Sequence, residues 1–144
     1  MKNSSQIYDV LMENYLLLVE SDRQFFTRFH LSQVRYFALL HISQNPELSL
    51  TELSKKLLCT KGNTTRIIQG MVTDDLLMVT KDLDDHRAMQ LNLTEKGKDL
   101  FLLVEREFDE FNQFRFAGIN ANPELLIRLN SILKARLENN PKKD

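Results

Sequence analysis

The hydrophobic period changes twice between Ser49 and Gly97, and the order of those changes restricts the fold more than any other feature. Ser49 and Glu52 have the spacing of a capping box, in which each side chain can satisfy the other's free N–H. A short helix over 50–58 follows, with Leu50, Leu53, Leu57 and Leu58 as its buried residues. Thr60 then caps a second helix to about Asp74. Its apolar stripe is Thr64, Ile67, Ile68, Met71 and Val72, and its other face carries Gly62, Asn63, Arg66, Gln69, Gly70 and Thr73. Two helices joined by so short a turn make a helix-turn-helix. From Leu76 to Lys81 and from Ala88 to Leu93 the period falls to that of a half-buried strand, with Met89, Leu91 and Leu93 alternating with polar or small neighbours. The charged connector DLDDHR suits an exposed hairpin tip. The expected fold is mainly α with a small β-hairpin wing, a winged helix-turn-helix.

Helices flank this segment. Residues 4–27 place Tyr8, Leu11, Tyr15, Leu18 and Phe25 near a helical period, and a break falls at 28–31. Ser32 caps a helix to about Gln44, with Val34, Phe37, Leu40 and His41 on one side, stopped by Asn45-Pro46. Thr94 caps a long helix from 95 to about 116. Asn122-Pro123 opens a last one through Leu137, carrying Leu125, Leu126, Leu129, Ile132 and Leu133. All nine phenylalanines lie in 25–37 or 101–116, so the central segment must build a small aliphatic core while the flanks hold the bulky apolar area. Such flanks carry more apolar surface than one copy can cover, which points to a subunit interface. The expected organisation is one domain over 1–144, with a winged lobe over 32–97 and dimerisation helices in 1–31 and 98–144.

Composition narrows the class. The 144 residues suffice for a real core, and 42% hydrophobic with 27% charged content is ordinary for a soluble protein. No apolar run approaches the roughly 20 residues of a membrane span, and MKNSSQIYDV lacks the apolar block of a secretion signal. A cytoplasmic protein without a membrane partner is expected. The single cysteine, Cys59, excludes an intramolecular disulfide and a multi-cysteine zinc site. His30, His41 and His86 have no metal-ligand spacing, so no metal or cofactor is expected. Net charge is only −1, yet Lys55, Lys56, Lys61 and Arg66 face Glu52 alone between 52 and 73, while EREFDE at 105–110 is acidic. Such a polarised field suits a polyanion met on one side.

A recognition helix meets base edges through its first turns. Here these offer Thr60, Lys61, Asn63, Thr65 and Arg66, with Gln69 one turn on. Arginine can hold guanine bidentately, and asparagine or glutamine can hold adenine. Lys61 and Thr60 sit where phosphate grips, helped by free backbone N–H groups. At the hairpin tip Asp85 can hold Arg87 extended for the minor groove, where arginine reads width and negative potential. The implied partner is double-stranded DNA.

The run LTELSKKLLCTKGNTTRIIQGMVTDDLL with its DLDDHRAMQLNLTEKG wing resembles the multiple-antibiotic-resistance regulator (MarR) family, over nearly the full chain. That family's wing has the form D-x-x-D-R-R followed by a strand and L-T-x-x-G. Asp82, Asp85, Arg87 and Leu93-Thr94-Glu95-Lys96-Gly97 match it, while His86 stands in place of the first arginine. The resemblance implies a homodimer formed by the terminal helices, binding a palindromic operator and mostly repressing. It implies release by a small lipophilic or phenolic effector bound between the dimer and DNA lobes. It further implies DNA contacts from Thr60, Lys61, Asn63, Thr65, Arg66 and Arg87, with Asp85 as orienter.

The Phe25, Phe29 and Phe37 group with His41 could line an effector pocket, although aromatic stripes at helical spacing are more often plain core. Cys59, in the turn, reads as a buried packing residue rather than a redox switch. The rival reading is a winged-helix adaptor that binds protein, which would lack the salt dependence of DNA binding. An enzyme is not expected: the chain has no glycine-rich phosphate loop and no Ser/His/Asp or Cys/His constellation.

Overall fold

Caps and turns set the limits of the elements in the computed structural model, which describes residues 2–81, 89–119 and 122–139. Helix α1, Lys2–Thr27, ends where His30 takes a positive φ of 54° and the Leu31 N–H returns to the Phe26 carbonyl at 3.1 Å. Ser32 caps α2, Gln33–Gln44, its Oγ accepting from the Arg35 N–H, and Asn45 closes that helix before Pro46. Strand β1 is only Leu48–Ser49. Helix α3, Leu50–Leu57, starts at Ser49, whose Oγ accepts from the Glu52 N–H at 3.1 Å. The return bond departs from the usual box, because the Ser49 hydroxyl donates to the Glu52 carboxylate at 2.9 Å. Thr60 caps α4, Lys61–Thr73, through the Asn63 N–H. Strands β2, Leu77–Lys81, and β3, Met89–Leu93, complete the sheet. Helix α5 is Glu95–Arg115 and α6 is Pro123–Glu138.

The sheet is antiparallel with order β1-β3-β2, pairing Leu48 with Leu91 and Val79 with Leu91 from opposite sides. Its alternation buries Leu77, Leu91 and Leu93. Met89, expected on the same buried face, is exposed. The tip, with Asp85, His86 and Arg87, lies outside the described residues.

The chain divides into two units, Met1–Glu110 and Phe111–Asp144. The first has two adjoining cores. The aliphatic one joins Leu53, Ile68, Met71, Leu76, Leu77, Leu91 and Leu93 under α4 and the sheet. The aromatic one stacks Phe26 on Tyr36 at 4.9 Å and packs Phe108 against Phe25, Phe26 and Tyr36, gluing α1, α2 and α5 together. Burial among these rings, with the Glu105 and Asp109 carboxylates nearby, pushes the Tyr36 phenol up to about 12. An unfolded chain's phenol ionises near 10, so above that pH the unfolded state binds fewer protons and stability falls as pH rises. From pH 10 to 12 this group should remove up to roughly 1.4 kcal/mol per pH unit. Tyr36→Phe should flatten the decline; urea titrations at pH 9 and 11 check it, and equal declines in both proteins would refute it.

Further expectations about burial need correction, and Leu50, Leu57 and Ile67, expected inside, are half-buried. The buried residues of α2 are Tyr36, Ala38, Leu39 and Ile42, while Val34, Phe37, Leu40 and His41 are half-buried. That helix is covered by α1 on one side and by α3 and β3 on another, so no single stripe describes it. Leu58 is 85% exposed, because it ends α3 in the left-handed conformation, φ 53°, and turns its side chain outward. Val72 is exposed toward the hairpin rather than buried. Cys59 is half-buried, its Sγ 3.4 Å from the Leu57 carbonyl.

Two joints fix the end of α4. Asp75 takes the turn with φ 58°, and its carbonyl accepts from Thr94 Oγ1 at 2.6 Å. Gly97, in the first turn of α5, presses on that turn so closely that a Cβ there would stand 2.1 Å from the Leu76 carbonyl oxygen.

In the second unit Asn122 caps α6 by accepting from the Glu124 N–H at 3.0 Å, with Pro123 at the first helical position. No residue of α6 is buried, and Leu125, Leu126, Ile127, Leu133 and Leu137 are each more than half exposed. In the first unit Ile7, Tyr8, Val10, Tyr15, Leu16 and Leu17 on α1 are likewise open. No helix among the described residues is long and apolar enough to cross a membrane.

Candidate nucleic-acid interface

Helix α4 packs Thr64, Ile68 and Met71 inward onto α3 and β2, which leaves the intervening residues outside. Thr64 is fully buried without loss because its hydroxyl donates to the Thr60 carbonyl at 2.9 Å. Lys61, Gly62, Asn63, Arg66, Gln69 and Thr73 are exposed, with Thr60 at the cap. The inward spacing of the three buried residues therefore produces the outward polar face. The cap aligns the first N–H groups of α4 toward solvent, where an anion gains from both the free donors and the helix dipole.

The exposed residues are already organised among themselves. The Arg66 guanidinium donates through Nη2 to Asn63 Oδ1, a short contact across one helical turn. This holds the guanidinium up over the first turn and leaves the Asn63 amide N–H groups directed away from it. Thr65 is half-buried, its hydroxyl donating to the Lys61 carbonyl at 2.8 Å. Thr60 Oγ1 serves as the cap acceptor, a role that leaves its own proton to be donated. Gln69 stands one turn on, on the rim of a groove of about 390 Å³ between α4 and the hairpin, walled by Val72, Val79, Met89 and Leu91. Exposed Lys55 and Lys56 on α3 add positive charge beside this face. The α4 residues singled out in the sequence therefore stand together on one side of the helix. Arg87 and Asp85 lie outside the described residues.

The four residues named for an effector pocket do not share one cavity. Phe25 and Phe29 pack on each other at 5.4 Å, with the Arg28 guanidinium over both rings, and Phe25 belongs to the aromatic core. Phe37 and His41 instead line a cavity of about 320 Å³ with Gln33, Val34, Lys56 and Leu57. Burial first, and the Lys56 charge second, hold the His41 imidazole below its ordinary pKa. A larger cavity of about 510 Å³, which the sequence did not indicate, opens between α2, the sheet and α5, walled by Ile42, Met78, Leu93 and Phe101. Sequence reading also missed the Arg35–Asp74 ion pair, which joins residues 39 apart and follows no local spacing rule.

A capped helix with an outward Asn/Arg face, seated on a second helix and followed by a β-hairpin, defines a winged helix-turn-helix, an arrangement suited to placing one helix in the major groove. Residues 31–89 match the family model described as "MarR family". The HTH-type transcriptional regulator SarZ of Staphylococcus aureus (strain MRSA252) is 24% identical over 116 residues, covering 80% of this chain and 78% of SarZ. Among solved structures, a Staphylococcus aureus MarR in complex with salicylate and kanamycin superposes with a TM-score of 0.81 at 20% identity, covering 96% of this chain and 95% of that one. The M. tuberculosis transcriptional regulator MOSR in complex with DNA has a TM-score of 0.76 at 17% identity, covering 90% of this chain and 94% of MOSR. The family-model match thus covers the helix-turn-helix and the start of β3, and the likeness to these solved structures shows the winged helix-turn-helix fold.

Proposed function

We propose that the protein is a cytoplasmic, ligand-responsive repressor that grips a palindromic operator as a homodimer. The observation carrying this reading is the Asn63–Arg66 pair, both side chains exposed and held together on the first turns of a capped helix. Asn63, Arg66 and Gln69 read base edges. Thr60 and Lys61 hold phosphate, Thr65 stands beside them at the edge of the contact with its hydroxyl donated to the Lys61 carbonyl, and Arg87, oriented by Asp85, enters the minor groove. Residues 32–97 form the reading lobe. The pairing surfaces are supplied by 1–31 and 98–144, whose exposed Ile7, Tyr8, Tyr15 and Leu16 on α1, and Leu125, Leu126 and Leu133 on α6, amount to apolar area that a lone chain would leave wet. The effector is a small lipophilic or phenolic acid. Support for it is the Phe37–His41 cavity, where Lys56 supplies a cation beside an apolar wall, and the salicylate named in the Staphylococcus aureus MarR complex.

A footprint of the purified protein on the DNA upstream of its own coding sequence tests this reading. Two protected half-sites about 34–36 Å apart are expected for a two-fold dimer. Binding should weaken with salt at a slope near −0.9 per phosphate contacted. A single half-site would overturn the dimer, and a salt slope near zero would favour the protein-binding adaptor.

A further inference from the structure

Helix α4 rests on α3 and β2, and its flank toward the start of α2 borders a recess. The recess, of about 400 Å³, is lined by Ser32, Val34, Cys59, Asn63 and Ile67. Arg35, in the first turn of α2, lines it too and reaches beyond it. Its Nη1 donates to Asp74 Oδ2 at 2.6 Å, and Asp74 is the residue that ends α4. On the way the guanidinium lies against Gly70, where a Cβ would come within 2.4 Å of Nη2. Gly70 sits in ordinary helical conformation, so the backbone does not require glycine there. Its absent side chain makes the passage for Arg35, at a cost in helix propensity. The Asp74 carbonyl accepts from Lys96 Nζ at 3.0 Å, so this end of α4 is tied to α5 as well.

We propose that Arg35 is a positioning residue for DNA reading: through Asp74, and across Gly70, it sets the angle at which Asn63, Arg66 and Gln69 meet the base edges. The inference rests on the DNA-reading function above. Stability alone does not explain the pair, since its side chains are 28% and 53% exposed and such pairs contribute little to folding. A recess bordered by one ion pair is, however, where a small rotation of α4 meets least resistance from that side.

Three variants break the latch differently, and their affinities for the footprinted operator and for a random duplex distinguish the roles. Arg35→Ala should weaken operator binding about ten-fold, the loss of roughly one well-placed base contact. Asp74→Ala should weaken operator binding similarly while random-duplex binding holds or tightens, because a carboxylate beside a polyanion has been removed. Gly70→Ala should displace the guanidinium and weaken operator binding, while the melting temperature holds or rises from the better helix former. A purely structural role would move stability and affinity together. The exchange of Arg35→Asp with Asp74→Arg should restore most of the operator affinity. Equal losses on both duplexes for Arg35→Ala, with the salt slope reduced by about one, would make Arg35 a phosphate contact and overturn the proposal. Unchanged operator affinity in Asp74→Ala and Gly70→Ala would overturn it too. Amide spectra of free Gly70→Ala separate this from failure of the DNA reading. Shifts along Lys61–Thr73 support the latch even if no duplex binds, and an unshifted helix refutes it.

Discussion

Phe26→Ala should destabilise the protein by about 3–5 kcal/mol, the cost of deleting a fully buried ring and leaving a cavity behind. The ring is 0% exposed and is shared among three helices. It stacks on Tyr36 of α2, meets Phe108 of α5 at 4.9 Å, and stands edge-on to Phe25 of its own helix at 5.1 Å. No small residue can be recruited to fill that place, since the neighbours are rings already in contact with one another. Urea unfolding gives the number through a lowered midpoint, and a loss below about 1 kcal/mol would mean that the cluster collapses onto the gap. A domain of ordinary stability, about 5–15 kcal/mol, would lose a large share of it.

Arg66→Ala should reduce operator affinity by about 10–100-fold while binding to random duplex falls far less, as one bidentate base contact contributes roughly 1–3 kcal/mol of discrimination. Thermal stability should hold within about 0.5 kcal/mol, because the side chain is exposed and its partner, Asn63, lies on the same helix. Its loss also frees the Asn63 carboxamide to reorient, so specificity at the neighbouring base should relax as well. Parallel titrations of operator and random duplex check both effects. Equal losses on the two would place Arg66 on phosphate.

Most of the architecture was legible because it is written in local chemistry. Ser32, Ser49 and Thr60 each accept from a backbone N–H at the start of the helix they were expected to cap, Thr94 accepts from the Gly97 N–H in the same way, and Pro123 opens α6 where it was expected to. The period of two in Leu91 and Leu93 marked a strand whose pairing follows from it. Strand β1 escaped notice because two residues have no period. Leu58 and Val72 were misread for a shared reason: hydrophobicity says what a side chain prefers, whereas a left-handed turn or an open groove decides where it goes. In α2 a helix covered on more than one side gave apolar residues all round, so its inner face could not be picked out. The α4 portion of the candidate site was visible in the outward spacing of Asn63, Arg66 and Gln69. Its support was not, because Arg35 and Asp74 come together only through the tertiary fold. The same holds for Phe37 and His41, which face a different space from Phe25 and Phe29.

At Gly97 the start of α5 and the Leu76 carbonyl stand too near each other to admit even a methyl group. That joint is consequently a weld between the first turn of the long helix and the turn that follows α4. The joint itself tolerates no larger residue, so the identity of Gly97 is dictated by its neighbour's backbone rather than by its own helix.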